Sequence, residues 1–161
     1  MTKFISAALL LFAVLFSSCG KQSESTAVIT GYYLRDASGN AMGMVEEPNV
    51  KLNNGINDPE YKISIGSYPN PFRHICNIYT NNPSPEVLKK IVVTKAEFNK
   101  RASVSTNMPA TADDIVGEVL IEQEFTNSYY SLDFSDLETG YYRVYVEING
   151  ELFYDNLKKT D

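Results

Sequence analysis

Three observations predict an all-β protein built as an antiparallel sandwich. From Ala27 onward apolar and polar residues alternate with period two, the spacing at which successive strand side chains reach opposite faces. Residues that suit a pleated, half-buried surface are dense, with 11 Tyr and 8 Phe in 161 residues and β-branched runs such as Ile91-Val92-Val93-Thr94. Glycine, asparagine, aspartate and proline cut these stretches into short pieces, and no long segment repeats at the helical period.

The first predicted strand runs from Ala27 to Leu34. Asp36-Ala37-Ser38-Gly39-Asn40 then supplies turn chemistry before Ala41 to Val45, which makes an N-terminal hairpin. Tyr61, Ile63 and Ile65 alternate with Lys62 and Ser64 as far as Pro69-Asn70-Pro71, where proline, having no N–H, stops ladder pairing. Extended chain resumes from Ile75 to Thr80. Pro83-Ser84-Pro85-Glu86 starts a turn or one turn of helix, and the β-branched run after it carries a strand to about Phe98. Residues 99–114 are polar, contain Pro109 and Asp113-Asp114, and are expected to form a long surface loop.

The C-terminal third carries the clearest pattern. Tyr130, Leu132 and Phe134 alternate with Ser131, Asp133 and Ser135, and Tyr142, Val144, Val146 and Ile148 alternate with Arg143, Tyr145 and Glu147. Asn149-Gly150 suits a two-residue type I′ turn, whose central positions both need positive φ. Pairing outward from that turn sets Val146 beside Phe153 and Tyr142 beside Leu157, and it places Asp155 opposite Val144 on the same face. A carboxylate among those residues implies either a slipped register or a solvated strand end. About seven to nine short strands arranged this way indicate an immunoglobulin-like sandwich over residues 27–161, with residues 27–60 as an N-terminal hairpin and extension and residues 61–161 as the sandwich proper.

A different pattern precedes this domain. After Lys3, an apolar run from Phe4 to Phe16 spans as a helix roughly 20 Å at ~1.5 Å per residue, short of a ~30 Å hydrocarbon core. It is the core of a cleaved signal segment. Ser17, Ser18 and Cys19 resemble the lipobox of a bacterial lipoprotein, with Phe16 where leucine is usual. That resemblance implies residues 1–18 as signal peptide, an acylated Cys19 opening a polar tether over 19–26, and the membrane as a partner through those acyl chains. One chain, at ~0.8 kcal/mol per buried methylene, holds marginally; two or three hold permanently. Gly20, rather than Asp, follows the cysteine, which under the enteric lipoprotein sorting rule implies the outer membrane, with either face open to the domain. The chain has 14 basic against 20 acidic residues, a net charge of −6 that repels nucleic acid. With Cys19 acylated only Cys76 remains, so no internal disulfide is expected.

Tyr68-Pro69-Asn70-Pro71-Phe72, then Gly140-x-Tyr142, then Lys158-Lys159 resemble, in order and placing, the type A C-terminal sorting domain of the Bacteroidetes type IX (Por) secretion system. The resemblance covers Tyr68 to Lys159, interrupted around residues 99–116. It implies a small immunoglobulin-like sandwich and, for cargo of that system, a sorting role. Gly140 is expected to permit a turn closed to most side chains, and Tyr142 to point its ring inward. The chain departs from cargo in having only a hairpin and a tether ahead of the domain.

Residues with intrinsic chemistry are sparse. His74 is the sole histidine and lies two residues from Cys76, but alternate strand residues stand ~6.5 Å apart, about twice the reach of a nucleophile–base pair. A buried inert thiol beside a partly exposed imidazole is the expected reading. Asp36-x-Ser38-Gly39-Asn40 lacks the spacing and terminal Glu of a calcium loop. Asp113, Asp114, Asp133, Asp136 and Glu138 read as charged loop residues, and no nucleophile elbow, phosphate loop or zinc motif occurs. No catalytic residue, metal or cofactor is therefore expected. Among the tyrosines, Tyr130 and Tyr142 fall on apolar faces, whereas Tyr141 and Tyr145 lie opposite and are candidates for an exposed recognition surface. The expectation is a non-enzymatic, lipid-anchored envelope protein whose sandwich binds an envelope protein or glycan. A type IX sorting role is the alternative, and a hydrolase a remote one.

Overall fold

A computed structural model describes residues 25–82, 84 and 86–161. The signal segment, Cys19 and the tether up to residue 24 lie outside the described residues, as do Pro83 and Pro85. The described chain is an immunoglobulin-like β-sandwich with strands β1 (Ala27–Ile29), β2 (Tyr32–Arg35), β3 (Ala41–Val45), β4 (Ser64–Tyr68), β5 (Ile75–Asn81), β6 (Lys89–Phe98), β7 (Val119–Phe125), β8 (Tyr129–Asp133), β9 (Gly140–Ile148) and β10 (Glu151–Lys159). A five-stranded sheet runs β6-β9-β10, with β7 and β1 sharing the other edge of β6; a three-stranded sheet runs β4-β5-β8; β2 and β3 form a hairpin.

Alternation builds the core between the two larger sheets. Ile65, Cys76, Ile78 and Leu132 face inward from the three-stranded sheet, and Ile91, Val93, Val144, Val146, Phe153 and Leu157 meet them from the other. Phe72 meets Phe134 edge-on with ring centroids 4.7 Å apart, and Phe134 meets Tyr142 at 5.5 Å. The Tyr142 hydroxyl donates back to the Glu138 carbonyl, four residues upstream. This is the tyrosine corner of immunoglobulin-like sandwiches, and it fixes the entry of β9. The β9–β10 turn follows the sequence pattern, with φ of 54° at Asn149 and 76° at Gly150. The register does too, pairing Val146 with Phe153, Tyr142 with Leu157 and Val144 with Asp155.

Several expectations change. The strand read over Ala27–Leu34 is two strands in different sheets, and β1 pairs parallel, not antiparallel, with β6. The break falls at Gly31, where a Cβ would lie 2.5 Å from the Val45 carbonyl oxygen and 2.8 Å from the Glu46 carbonyl carbon. That split, together with β7, raises the strand count above seven to nine. β7 escapes the pattern because its run Val119-Leu120-Ile121-Glu122-Gln123-Glu124-Phe125 does not alternate: it is an edge strand with a largely exposed middle. Gly140 opens β9 outside the left-handed region, and a Cβ there meets open space, so the turn expected of it is not found.

Candidate functional site

The sorting-domain-like motif serves the fold. Beyond β4, Asn70 and Phe72 bond to β10 along the edge away from β9. Asn70 is fully buried, exchanges backbone hydrogen bonds with Arg35 at 2.9 and 3.0 Å, donates its side-chain amide to the Tyr33 and Asn156 carbonyls at 2.8 and 2.9 Å, and accepts from the Lys158 N–H at 3.0 Å. Phe72 continues the edge, its N–H donating to the Lys158 carbonyl and its carbonyl accepting from Thr160. The Tyr68–Pro69 and Asn70–Pro71 peptides are cis. Lys159 is buried at the end of β10, while the Lys158 ammonium lies 4.2 Å from the centre of the Tyr141 ring.

Asp155 resolves the register puzzle without slipping or reaching solvent. It is fully buried, it pairs with Arg35 at 2.6 Å, and it accepts from the Ser67 hydroxyl. Arg35 arrives from the β2–β3 hairpin and also donates to the Ser67 carbonyl at 3.0 Å. Cys76 adjoins this pair. Burial, reinforced by the Asp155 carboxylate, pushes its thiol far above the ordinary value, which keeps it protonated and unreactive. His74 precedes β5 in a bend and is exposed, so the two side chains form no dyad. Asp36 accepts from Ser38, Asn40 and the Asn40 side chain, closing the hairpin turn. Among the described residues no group of three His, Cys, Asp or Glu is placed to hold a metal.

The Tyr141 and Tyr145 recognition face is corrected by the structure. Residues 99–114 form the expected long surface loop, with one turn of 3-10 helix at Ala112–Asp114, but with residues 115–117 they lie over the outer face of the five-stranded sheet, and Tyr145 is 1% exposed. Ile115 packs on Val92, Tyr145, Leu152 and Tyr154, and Tyr141 is half-buried, stacked on Phe98 with centroids 5.0 Å apart. Arg143 holds this cover down. Its buried guanidinium donates to Asn156 Oδ1 at 2.9 Å, to the carbonyls of Val28 and Asn49 at 3.2 and 3.1 Å, and to the Asn107 carbonyl. Burial lowers its pKa, against the opposing pull of Tyr145, Tyr154 and Asp155. Carbonyl oxygens and aromatic faces thus replace a carboxylate partner, and four segments of chain are tied to one side chain.

The exposed aromatic surface lies on the other sheet. Outward positions of β4, β5 and β8 form cross-strand rows: Gly66, Tyr79 and Tyr129; then Tyr68, Asn77 and Ser131; then Ile75 with Asp133. The Tyr79 and Tyr129 rings lie 4.9 Å apart at 41°, and Tyr129 is 60% exposed. Gly66 leaves open space beside Tyr79. Below the rings the Ser131 hydroxyl donates to Asn77 Oδ1 at 2.6 Å. Neither tyrosine was singled out from the sequence, although the inward assignment of Tyr130 and Leu132 already sends Tyr129 outward.

No family model matches the chain, and no curated protein matches it. Among solved structures it is similar to a DUF3244 family protein with an immunoglobulin-like β-sandwich fold from Bacteroides vulgatus ATCC 8482, at 13% identity and TM-score 0.40 over 69% of this chain and 97% of that one. It is also similar to the PmoD soluble domain from Methylocystis sp. ATCC 49242, at 10% identity and TM-score 0.38 over 70% of this chain and 99% of that one.

Proposed function

We propose that this chain is a non-enzymatic lipoprotein of the bacterial outer membrane, anchored through acyl chains on Cys19, whose sandwich binds a glycan on the outer face of β4-β5-β8. The observation that carries the binding reading is the Tyr79–Tyr129 pair, an exposed ring beside a half-buried one. Two tyrosine rings over a bed of Asn and Ser offer C–H-rich sugar faces an aromatic surface and hydroxyls a set of hydrogen-bonding partners, with little side-chain entropy to lose. Gly66 keeps the approach to Tyr79 clear. The signal pattern supports the anchor, and the burial of Asn70, Phe72 and Tyr142 gives those three motif residues a place in the fold.

A glycan-array screen of the mature protein tests the binding face. Tyr79→Ala and Tyr129→Ala are expected to lower affinity for any hit at least tenfold, and Tyr129→Ala to leave the melting temperature within a degree or two, since Tyr129 is largely exposed. Unchanged binding in both variants overturns the assignment. The anchor and the sorting alternative separate by intact mass from the membrane fraction: an acylated Cys19 with an intact C-terminus supports the anchor, and loss of the sandwich on export supports sorting.

A further inference from the structure

The cover formed by residues 99–117 does not lie flush on the sheet. Between them is a cavity of about 210 Å³, with Val92, Tyr145 and Leu152 as its floor and Ile115 in its roof. Its walls also include Lys90, Glu122 and Glu147, of which Lys90 and Glu122 are 41% and 53% exposed at their side chains. Those two form an ion pair, and the other charges acting on Lys90 are Glu147 and Glu124. Three carboxylates thus share one ammonium at the opening, which favours an incoming cation.

The inner end differs. The Tyr145 hydroxyl, on a residue 1% exposed, lies beside the Thr94 hydroxyl and the Arg143 guanidinium, yet neither hydroxyl makes a well-formed hydrogen bond. A buried hydroxyl held only by poorly formed contacts costs stability, and a polar atom delivered through the cavity to Tyr145 recovers it. Gly117 brings the roof over this spot, a Cβ there falling 3.4 Å from that of Thr94.

We propose that the cavity binds a small amphipathic primary amine, its ammonium meeting Glu122 and Glu147, its apolar body lying on Val92 and Leu152, and a hydrogen-bonding group at its far end reaching the Tyr145 hydroxyl. The site is independent of the Tyr79–Tyr129 face, which belongs to the opposite sheet. Calorimetric titration of the full mature chain with three probes tests it: tyramine carries both polar ends, phenethylamine lacks the hydroxyl, and para-hydroxyphenylacetate replaces the ammonium with a carboxylate. Tyramine is expected to bind, phenethylamine about tenfold more weakly, and the anion not measurably. Glu147→Gln is expected to weaken both amines severalfold, and Tyr145→Phe to erase the preference for tyramine over phenethylamine, with both variants melting as the parent does. The proposal is overturned if the parent protein ignores tyramine, if the anion binds as well as the amine, or if folded Tyr145→Phe keeps the preference. Should a variant fail to fold, the probe series on the parent decides alone.

Discussion

Asp155 shows what one residue inherits from chain that is far away in sequence. Its place opposite Val144 follows from the Asn149-Gly150 turn, but its partner Arg35 lies 120 positions earlier, and no local pattern points there. A buried ion pair sets a specific test. Removing either partner leaves the other charged and desolvated, so Arg35→Met or Asp155→Leu alone is expected to cost about 3–5 kcal/mol, whereas the double replacement is expected to return close to the parent. Denaturant unfolding of the three variants measures this. A double variant no better than the singles would show that Arg35 and Asp155 are held for reasons other than each other. Cys76 illustrates the converse: alternation alone places it inward, and its inertness follows from that placement.

Elements were legible where one face is apolar and the other polar. β8 and β9 satisfy that condition, and the pairing of β10 follows from the Asn149-Gly150 turn. β1 and β2 do not, because the nearly continuous apolar run from Ala27 to Leu34 conceals the change of sheet at Gly31. The clue available was the glycine itself, which inside a strand pattern often marks a close backbone approach. Gly31→Ala is accordingly expected to lower stability by about 2 kcal/mol or more, read by thermal unfolding, since the atoms it meets are backbone and cannot step aside. The 99–117 cover was illegible for another reason. Its polarity describes the solvent side, while Ile115 and the Asn107 carbonyl, which meet the sheet, are too few to set a period. With Tyr145 hidden beneath that cover, the exposed aromatic pair of the sandwich is Tyr79 with Tyr129, on the other sheet.

At the scale of the whole molecule, the buried ionisable groups predict how the fold answers alkali. Burial raises the Cys76 thiol above its ordinary 9.0 and the hydroxyls of Tyr142, Tyr145 and Tyr154 above 10.0. The native state therefore keeps protons that the unfolded chain releases. Their contribution is complete below pH 9 and declines as pH climbs through the raised values, so the melting temperature is expected to hold steady to about pH 9 and then fall. Cys76→Ala should move the onset of that decline toward higher pH, and an onset unmoved would exclude the thiol as its source. The parallel ladder of β1 with β6 has a mechanical meaning for a protein held by its N-terminus. Tension on residues ahead of Ala27 draws β1 along its own axis, so the ladder to Ala96–Phe98 and the clasp of Asn49, Asn107 and Arg143 around Val28 resist together in shear instead of peeling apart one bond at a time. If the proposed anchor holds the chain ahead of Ala27, a strand of three residues thereby withstands a load applied to the whole domain.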